Sequence, residues 1–241
     1  MLTKTKAIVL RTVRLGERKM IVDLLTEQHG RVSIVTTVPS TQKGKIKKQY
    51  FQPMTLLEVE LEQRPTASLH RLRDARLSAP FTSIPFDARK LAITLFLAEF
   101  VYHATRGEQS NTHLFKYIES SLMWLDGCVM PFANFHLVFM MRLTRFIGFF
   151  PLLEDYCQGD CFDLRAGTFC SSRPAHPDFL APDEASRIGT LMRMNYESMR
   201  LFKMNRNDRN RIIDVLVDYY RLHVPNFPPL RSLAVLQELW E

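Results

Sequence analysis

The stretch MTLLEVELEQ, residues 54–63, decides how the first third of the chain is read. Leu57, Val59 and Leu61 alternate with Glu58, Glu60 and Glu62. A period of two puts the leucines and valine on one face of a strand and the carboxylates on the other, the pattern of a sheet with one wet face. Similar segments precede it. KAIVLRT (6–12), MIVDLLT (20–26) and RVSIVTT (31–37) are β-branched and apolar, and SLHRLRDARL (68–77) is a fifth candidate whose imperfect alternation predicts a bulge. Turns carrying Gly16 and Gly30 separate the first three, with Gly30 placed for a positive φ. Five short strands, with a longer insertion between the third and the fourth, predict a small closed barrel over residues 1–80. The five-stranded OB-fold has this size and count, and an SH3-like barrel remains the alternative.

Beyond residue 80 the period changes. APFTSIPFD (79–87) carries two prolines and reads as a linker. Helical patterns follow at about 88–106, 111–127, 132–149, 183–204, 208–223 and 230–240. The first is apolar nearly all round and so predicts a buried helix. Asn207 or Asp208 is expected to cap the 208–223 helix and Pro225 to stop it. Residues 150–182, broken by prolines and glycines, predict an irregular insert. The expectation is an α+β protein: a barrel domain at 1–80, then a helical domain at 81–241 with its insert at 150–182.

Charge is distributed unevenly. The chain carries +7 overall. Residues 1–80 hold 15 Lys/Arg against 7 Asp/Glu, and residues 81–241 hold 17 against 18. A basic excess confined to the barrel predicts a polyanion partner, although a solvated basic surface has the same composition. The densest part is KGKIKKQYFQP (43–53), with Lys43, Lys45, Lys47 and Lys48 beside Tyr50 and Phe51. Binders of single strands join a basic groove for phosphates to rings on which bases stack. The lysines fit the first role and Tyr50 the second, while Phe51 reads as core. Arg11, Arg14, Arg18, Lys19 and Arg31 lie on neighbouring turns and strand ends and extend the candidate interface, with Arg71, Arg73 and Arg76 as weaker members.

AIVLRTVRLGERKMIVDLLTEQHGRVSIV (7–35) resembles the bacterial recombination mediator family RecO. An apolar first strand leads to a Gly-Glu turn, here Gly16-Glu17. A second strand ends in a Thr-Glu-x-x-Gly-Arg turn, here Thr26, Glu27, Gly30 and Arg31. FQPMTLLEVEL (51–61) resembles the family's fourth strand. The resemblance implies an OB-fold that binds single- and double-stranded DNA. It also implies annealing of complementary strands, and help in loading the RecA recombinase onto DNA coated by single-strand-binding protein. The partners so implied are RecR and the acidic tail of the coating protein. Arg142, Arg145 and Phe146, a basic rim on an apolar stretch, are the candidate dock for that tail.

Many members of that family carry two Cys-x-x-Cys pairs holding structural zinc. This chain departs from the pattern, with Cys157, Cys161 and Cys170, and His176 as a conceivable fourth ligand. The spacing does not meet the requirement, so no cofactor is expected. Phosphate-cradling, nucleophile-elbow and HExxH motifs are absent, so no catalytic residues are assigned and no enzymatic activity is expected. His103 and His136 fall in apolar helices and read as satisfied core residues; Asp214 and Asp218 read as a salt-bridged helix face. No run of 18 apolar residues occurs, and the apolar run at the N-terminus is too short for a signal peptide, so a cytoplasmic location is expected. The rival readings are an RNA-binding OB-fold protein, a scaffold for an acidic protein, and a metal-dependent hydrolase built on the Cys/His insert.

Overall fold

The computed structural model describes residues 2–17, 19–37, 46–62, 68–154 and 156–239. Contact density divides the chain into two units. One runs to Gly127 and takes in Leu230–Leu239, and the other is Cys128–Pro229. The change from strand to helix falls earlier, between Ala79 and Ala88, so the first helices belong with the strands.

In the first unit, β1 (Leu2–Leu15), β2 (Lys19–Thr26), β3 (Gly30–Thr37), β4 (Leu56–Glu62) and β5 (His70–Ala79) close into a barrel of order β1-β2-β3-β5-β4. All pairings are antiparallel except β3–β5. The barrel is of the OB type, so the α+β class and the five-stranded barrel are as read from the pattern. Leu57, Val59 and Leu61 point inward, as their alternation requires. They meet Ala7, Val9, Met20, Val22, Leu24, Val32, Ile34, Phe51, Leu72 and Ala75.

The bulges are where the alternation fails. In β5 the partners step from Asp74 to Leu72 against Glu60–Leu61, and from Ala79 to Leu77 against Leu56–Leu57. In β1 a further slip lies between Val9 and Arg11. There the chain before β4 closes on β1. Val9 N–H donates to the Thr55 carbonyl (3.1 Å) and Met54 N–H to the Val9 carbonyl (2.6 Å), with Met54 buried at φ 62°. The β2–β3 turn explains the Thr-x-x-x-Gly spacing. The Thr26 hydroxyl accepts from His29 N–H (3.0 Å) and donates to the Gly30 carbonyl (2.9 Å). Gly30 has φ +62°, and a Cβ there would stand 3.1 Å from the Ser110 backbone nitrogen.

Three helices accompany the barrel: α1 (Ala88–Ala104), α2 (Thr112–Gly127) and α6 (Leu233–Gln237). Asp87 caps α1 by accepting from the Arg89 and Lys90 amides. Asp126, at the end of α2, accepts from the amides of Thr82, Ser83 and Ile84, each at 2.8 Å. The proline linker is thereby held by one carboxylate, which these bonds keep below the usual carboxylate range despite burial. Glu99 accepts from the amides of Arg231 (2.9 Å) and Ser232 (2.8 Å), fixing the start of α6.

The second unit contains α3 (Phe135–Leu143), α4 (Pro182–Arg193) and α5 (Arg206–His223). The insert is more regular than expected. β6 (Cys161–Asp163), β7 (Thr168–Cys170) and β8 (Phe179–Leu180) form a sheet of order β7-β6-β8. Strands of three, three and two residues are too short for a period of two to register. Three helix readings also change. The 132–149 helix ends at Leu143, and the chain turns through Gly148 at φ +88°. The 183–204 helix stops at Arg193, because Asn195 and Ser198 bond each other's amides (2.6 and 3.0 Å) and turn the chain. The cap of α5 is Asn205, reciprocated by Asp208 in a capping box, not Asn207 or Asp208 itself. The helix ends at Val224, before Pro225, as read.

His136 is buried within α3, and among the described residues its Nδ1 has no hydrogen-bond partner, so the ring is not the fully satisfied core histidine expected. Asp218 accepts from Arg221 at 2.9 Å, as a salt-bridged helix face would.

Candidate nucleic-acid interface

The register of β1, β2 and β3 sets out the barrel's outer face in rows. Arg11 pairs with Asp23, and Asp23 with Ser33. Val13 pairs with Ile21, and Ile21 with Val35, which in turn meets Arg71 of β5. Leu15 pairs with Lys19, and Lys19 with Thr37. Leu25, beside Arg31, is buried; Leu15 and Val13 are exposed, at 54% and 39%. The face is therefore covered toward α1, which packs on β1, and open beyond it. The open part is an apolar strip bordered by Arg11, Arg31, Lys19 and Arg71.

Charge compensation separates this face from the rest of the barrel. On the side where β1, β4 and β5 meet, three cations have carboxylate partners. Arg73 meets Glu62 at 2.5 Å, Arg76 donates to Glu58 from Nε at 2.8 Å, and Lys6 meets Glu119 of α2 at 2.9 Å. Lys4 stands opposite Glu60 and Arg71 opposite Glu62 in register, neither forming an ion pair among the described residues. The wet face of the strand that identified the fold is thus an acidic counterpart to those cations. On the β1-β2-β3 side, no carboxylate among the described residues lies within ion-pair distance of Arg11, Lys19, Arg31 or Arg71. Asp23, across from Arg11, accepts the Ser33 hydroxyl at 2.5 Å instead. Exposed pairs contribute little stability, about 0–1 kcal/mol. Their effect here is on the field: they cancel one side of the barrel and leave the other positive.

The first helix supplies what the sequence reading missed. Arg11 donates to the Tyr102 hydroxyl (3.2 Å) with its guanidinium 5.3 Å from the ring centre. Arg31 donates to the Tyr102 carbonyl (3.0 Å) with its guanidinium 4.3 Å from that centre. His103 stacks edge-on to Tyr102, centroids 5.0 Å apart. Burial holds His103 below its ordinary value, and Arg31, Arg106 and Arg11 push it the same way against Glu99. In the sequence, Tyr102, His103 and Arg106 fall at the end of the 88–106 helical pattern, whose apolar character hides them; in the structure Arg106 lies just past the end of α1. The available signal is polar tips crowded at the end of that pattern, Tyr102 and His103 in the last turn and Arg106 just beyond it.

The remaining candidates are placed as follows. Arg14 pairs with Met20 and so lies on the inward pleat, exposed at the end of the barrel. Thr12 donates to the Phe51 carbonyl at 2.8 Å, which brings the short 3-10 turn Lys48–Phe51 to that same end. Lys47 and Lys48 are exposed there. Tyr50 is half-buried and packs on the barrel core with Ile46 and Leu77, and Phe51 is core as expected. Arg18, Lys43 and Lys45 lie outside the described residues.

In the second unit, Arg142 is committed to structure, donating to the Met194 carbonyl from Nε (3.3 Å) and Nη2 (3.2 Å) at the end of α4. Arg145 lies over the Phe150 ring at 4.0 Å, and Phe146 is half-buried in the turn after α3. Cys161 and Cys170 are opposed across β6 and β7, and the Cys170 thiol donates to the Cys161 carbonyl at 3.7 Å. Burial pushes that thiol up, with Cys161, Asp163 and Asp160 adding to the effect. His176 meets Asp163 at 3.2 Å, and Cys157 is exposed. Among the described residues, no three or more His, Cys, Asp or Glu side chains are grouped to hold a metal.

Comparison with known proteins bears on this geometry. The family model described as Recombination protein O N terminal matches residues 1–81, and that described as Recombination protein O C terminal matches residues 85–234. The chain belongs to the RecO family. It is 51% identical over 242 residues to the DNA repair protein RecO of Bacteroides fragilis, with both chains covered in full. It is 49% identical over 240 residues to that of Phocaeicola vulgatus and 37% identical over 241 residues to that of Azobacteroides pseudotrichonymphae, again over the whole of each chain. The first RecO model spans the barrel with its uncompensated face. Among the described residues, no helix is long and apolar enough to cross a membrane.

Proposed function

We propose that the chain is a DNA-binding recombinational repair mediator whose barrel holds the phosphate backbone on the outer face of β1-β2-β3. The observation that carries this reading is the division of charge. Arg73, Arg76 and Lys6 are paired with carboxylates, while Arg11, Lys19, Arg31 and Arg71 border an open apolar strip and, among the described residues, form no ion pair. Phosphates neutralise the cations, and the strip admits bases whatever their sequence. Lys47 and Lys48, with Arg14, extend the positive path to the end of the barrel. Membership of a DNA repair family favours DNA over RNA and over an acidic protein.

On this reading the protein acts in the cytoplasm without catalysis and without a cofactor. Two strands held on a neutralising surface repel each other less, so they anneal without ATP. Loading of RecA onto strands coated by single-strand-binding protein follows from the same displacement, with RecR as co-factor protein and Arg145, Phe146 and Phe150 as the dock for the coating protein's tail. Arg142 supports that dock by holding the end of α4.

Annealing of fluorescently labelled complementary strands, naked and then coated, tests this. The expected result is acceleration by the purified protein without ATP, unaffected by a chelator. A protein that binds strands but leaves the annealing rate unchanged would limit the function to binding. Preference for an RNA competitor would move it to the RNA reading.

A further inference from the structure

Arg11 of β1 and Arg31 of β3 converge on a single residue of α1, one bonded to the Tyr102 hydroxyl and the other to its carbonyl. Both guanidinium groups also lie against the one ring, at 5.3 and 4.3 Å from its centre. Like charges gathered within about a Debye length of ~10 Å repel one another. Elsewhere on this barrel the chain pairs such cations with carboxylates, as at Arg73 and Arg76. Here it does not. Glu99, the carboxylate of α1 one turn before His103, accepts from the amides of Arg231 and Ser232, and Asp23, opposite Arg11 in register, accepts from Ser33; these bonds leave both charges in place, but neither carboxylate reaches ion-pair distance of a guanidinium. Arg106 adds to the positive side, and together with Arg31 and Arg11 it pushes the His103 ring toward its neutral form. Two guanidiniums fixed in place, with no carboxylate among the described residues within ion-pair distance of either, form a site suited to an anion from outside the chain.

We propose that Tyr102 is the positioning residue of a phosphodiester clamp, holding Arg11 and Arg31 ready for one stretch of nucleic-acid backbone. The inference rests on the nucleic-acid reading of the barrel and deepens it. Guanidinium recognises phosphate through paired N–H donors, and each side chain fixed beforehand loses less entropy on binding. Tyr102 itself carries no charge and gives the phosphate nothing directly. Its contribution is the geometry of its two neighbours, the ring through cation–π contact and the hydroxyl and carbonyl through hydrogen bonds.

That division of labour has a distinct signature in a salt titration of binding to fluorescent single-stranded DNA. Removing both arginines (Arg11→Ala with Arg31→Ala) removes charge, so the slope of log affinity against log salt falls by about 1.4, at ~0.7 per phosphate contact. Tyr102→Leu leaves both charges in place. Its affinity is expected to fall about tenfold with the salt slope unchanged, and Tyr102→Phe, which keeps the ring and the carbonyl, is expected to recover most of the loss. A Tyr102→Leu protein that binds like wild type overturns the clamp. So does one that loses slope like the double arginine variant, since Tyr102 would then only hold the face together. If Tyr102→Leu does not fold, Tyr102→Phe decides: a loss as large as that of the double arginine variant contradicts a clamp built on the ring. If wild type fails to bind DNA, the functional reading falls, and the clamp is then judged with inorganic tripolyphosphate. Thermal stabilisation of wild type but not of the double arginine variant supports an anion site, and no stabilisation of either overturns it.

Discussion

Acidification from pH 7.5 to 5.0 should destabilise the second unit through one residue, His136. The ring is 2% exposed within α3, and burial lowers its pKa to about 3, with Arg209 pushing the same way. In the unfolded chain the value is about 6.5. The folded value is thus depressed, so the unfolded state binds the proton that the folded state refuses, and stability falls as pH drops below about 6.5. At pH 5.0 the unfolded histidine is favoured by about 1.5 pH units of titration, at about 1.4 kcal/mol each, or roughly 2 kcal/mol in all. At this pH the result depends on the unfolded value, since the folded ring is neutral there. Urea unfolding followed by circular dichroism, at both pH values, measures it in wild type and in His136→Leu. The variant retains every other titrating group, so subtracting its pH dependence isolates the ring. Wild type should lose about 2 kcal/mol more than the variant on acidification. Equal losses in the two proteins would refute a buried neutral histidine. If the leucine variant does not fold, His136→Gln serves the same subtraction.

Three further outcomes follow from the packing and the charge map. Asp126→Ala orphans three amides of the linker and should cost about 3 kcal/mol or more in unfolding free energy, read from urea midpoints. Gly167→Ala should cost about 2 kcal/mol in a thermal melt, from its φ of +68° and a Cβ 2.6 Å from the Tyr219 hydroxyl. The double variant with Tyr219→Phe should relieve the steric clash while losing the Tyr219 hydroxyl's bond to the Phe149 carbonyl, so it is compared with Tyr219→Phe alone. Arg73→Ala with Arg76→Ala should leave the salt slope of DNA binding within about 0.5 of wild type, because Glu62 and Glu58 already neutralise those cations.

Legibility in the sequence followed the length and regularity of each element. β4 alternates cleanly because its inner residues fill the barrel while its glutamates meet cations outside, so its pattern is undiluted. β5 blurred where Arg73 and Ser78 bulge out of register, and the blur itself pointed to the bulges. The insert strands were too short to show a period. Helix ends failed where side chains redirected the backbone, as at Asn195 and Ser198. Of the site, the sequence showed that the barrel was basic but not which cations were free to act. Arg11 and Arg76 look alike in sequence, and only the register separates one facing Asp23, already bonded to Ser33, from one paired with Glu58. Tyr102 is 91 residues from Arg11 and 71 from Arg31, a distance that no local pattern spans.

The measurement that tests the central claim most directly is the salt dependence of single-stranded DNA binding in wild type and in one variant combining Arg11→Ala, Lys19→Ala and Arg31→Ala. Wild type should bind at low salt and weaken steeply as salt rises, and the variant should lose affinity together with about 2 units of slope, at ~0.7 per phosphate contact. Absence of wild-type binding at low salt, or a variant with the affinity and slope of wild type, would contradict the assignment of the β1-β2-β3 face as the surface that holds the backbone.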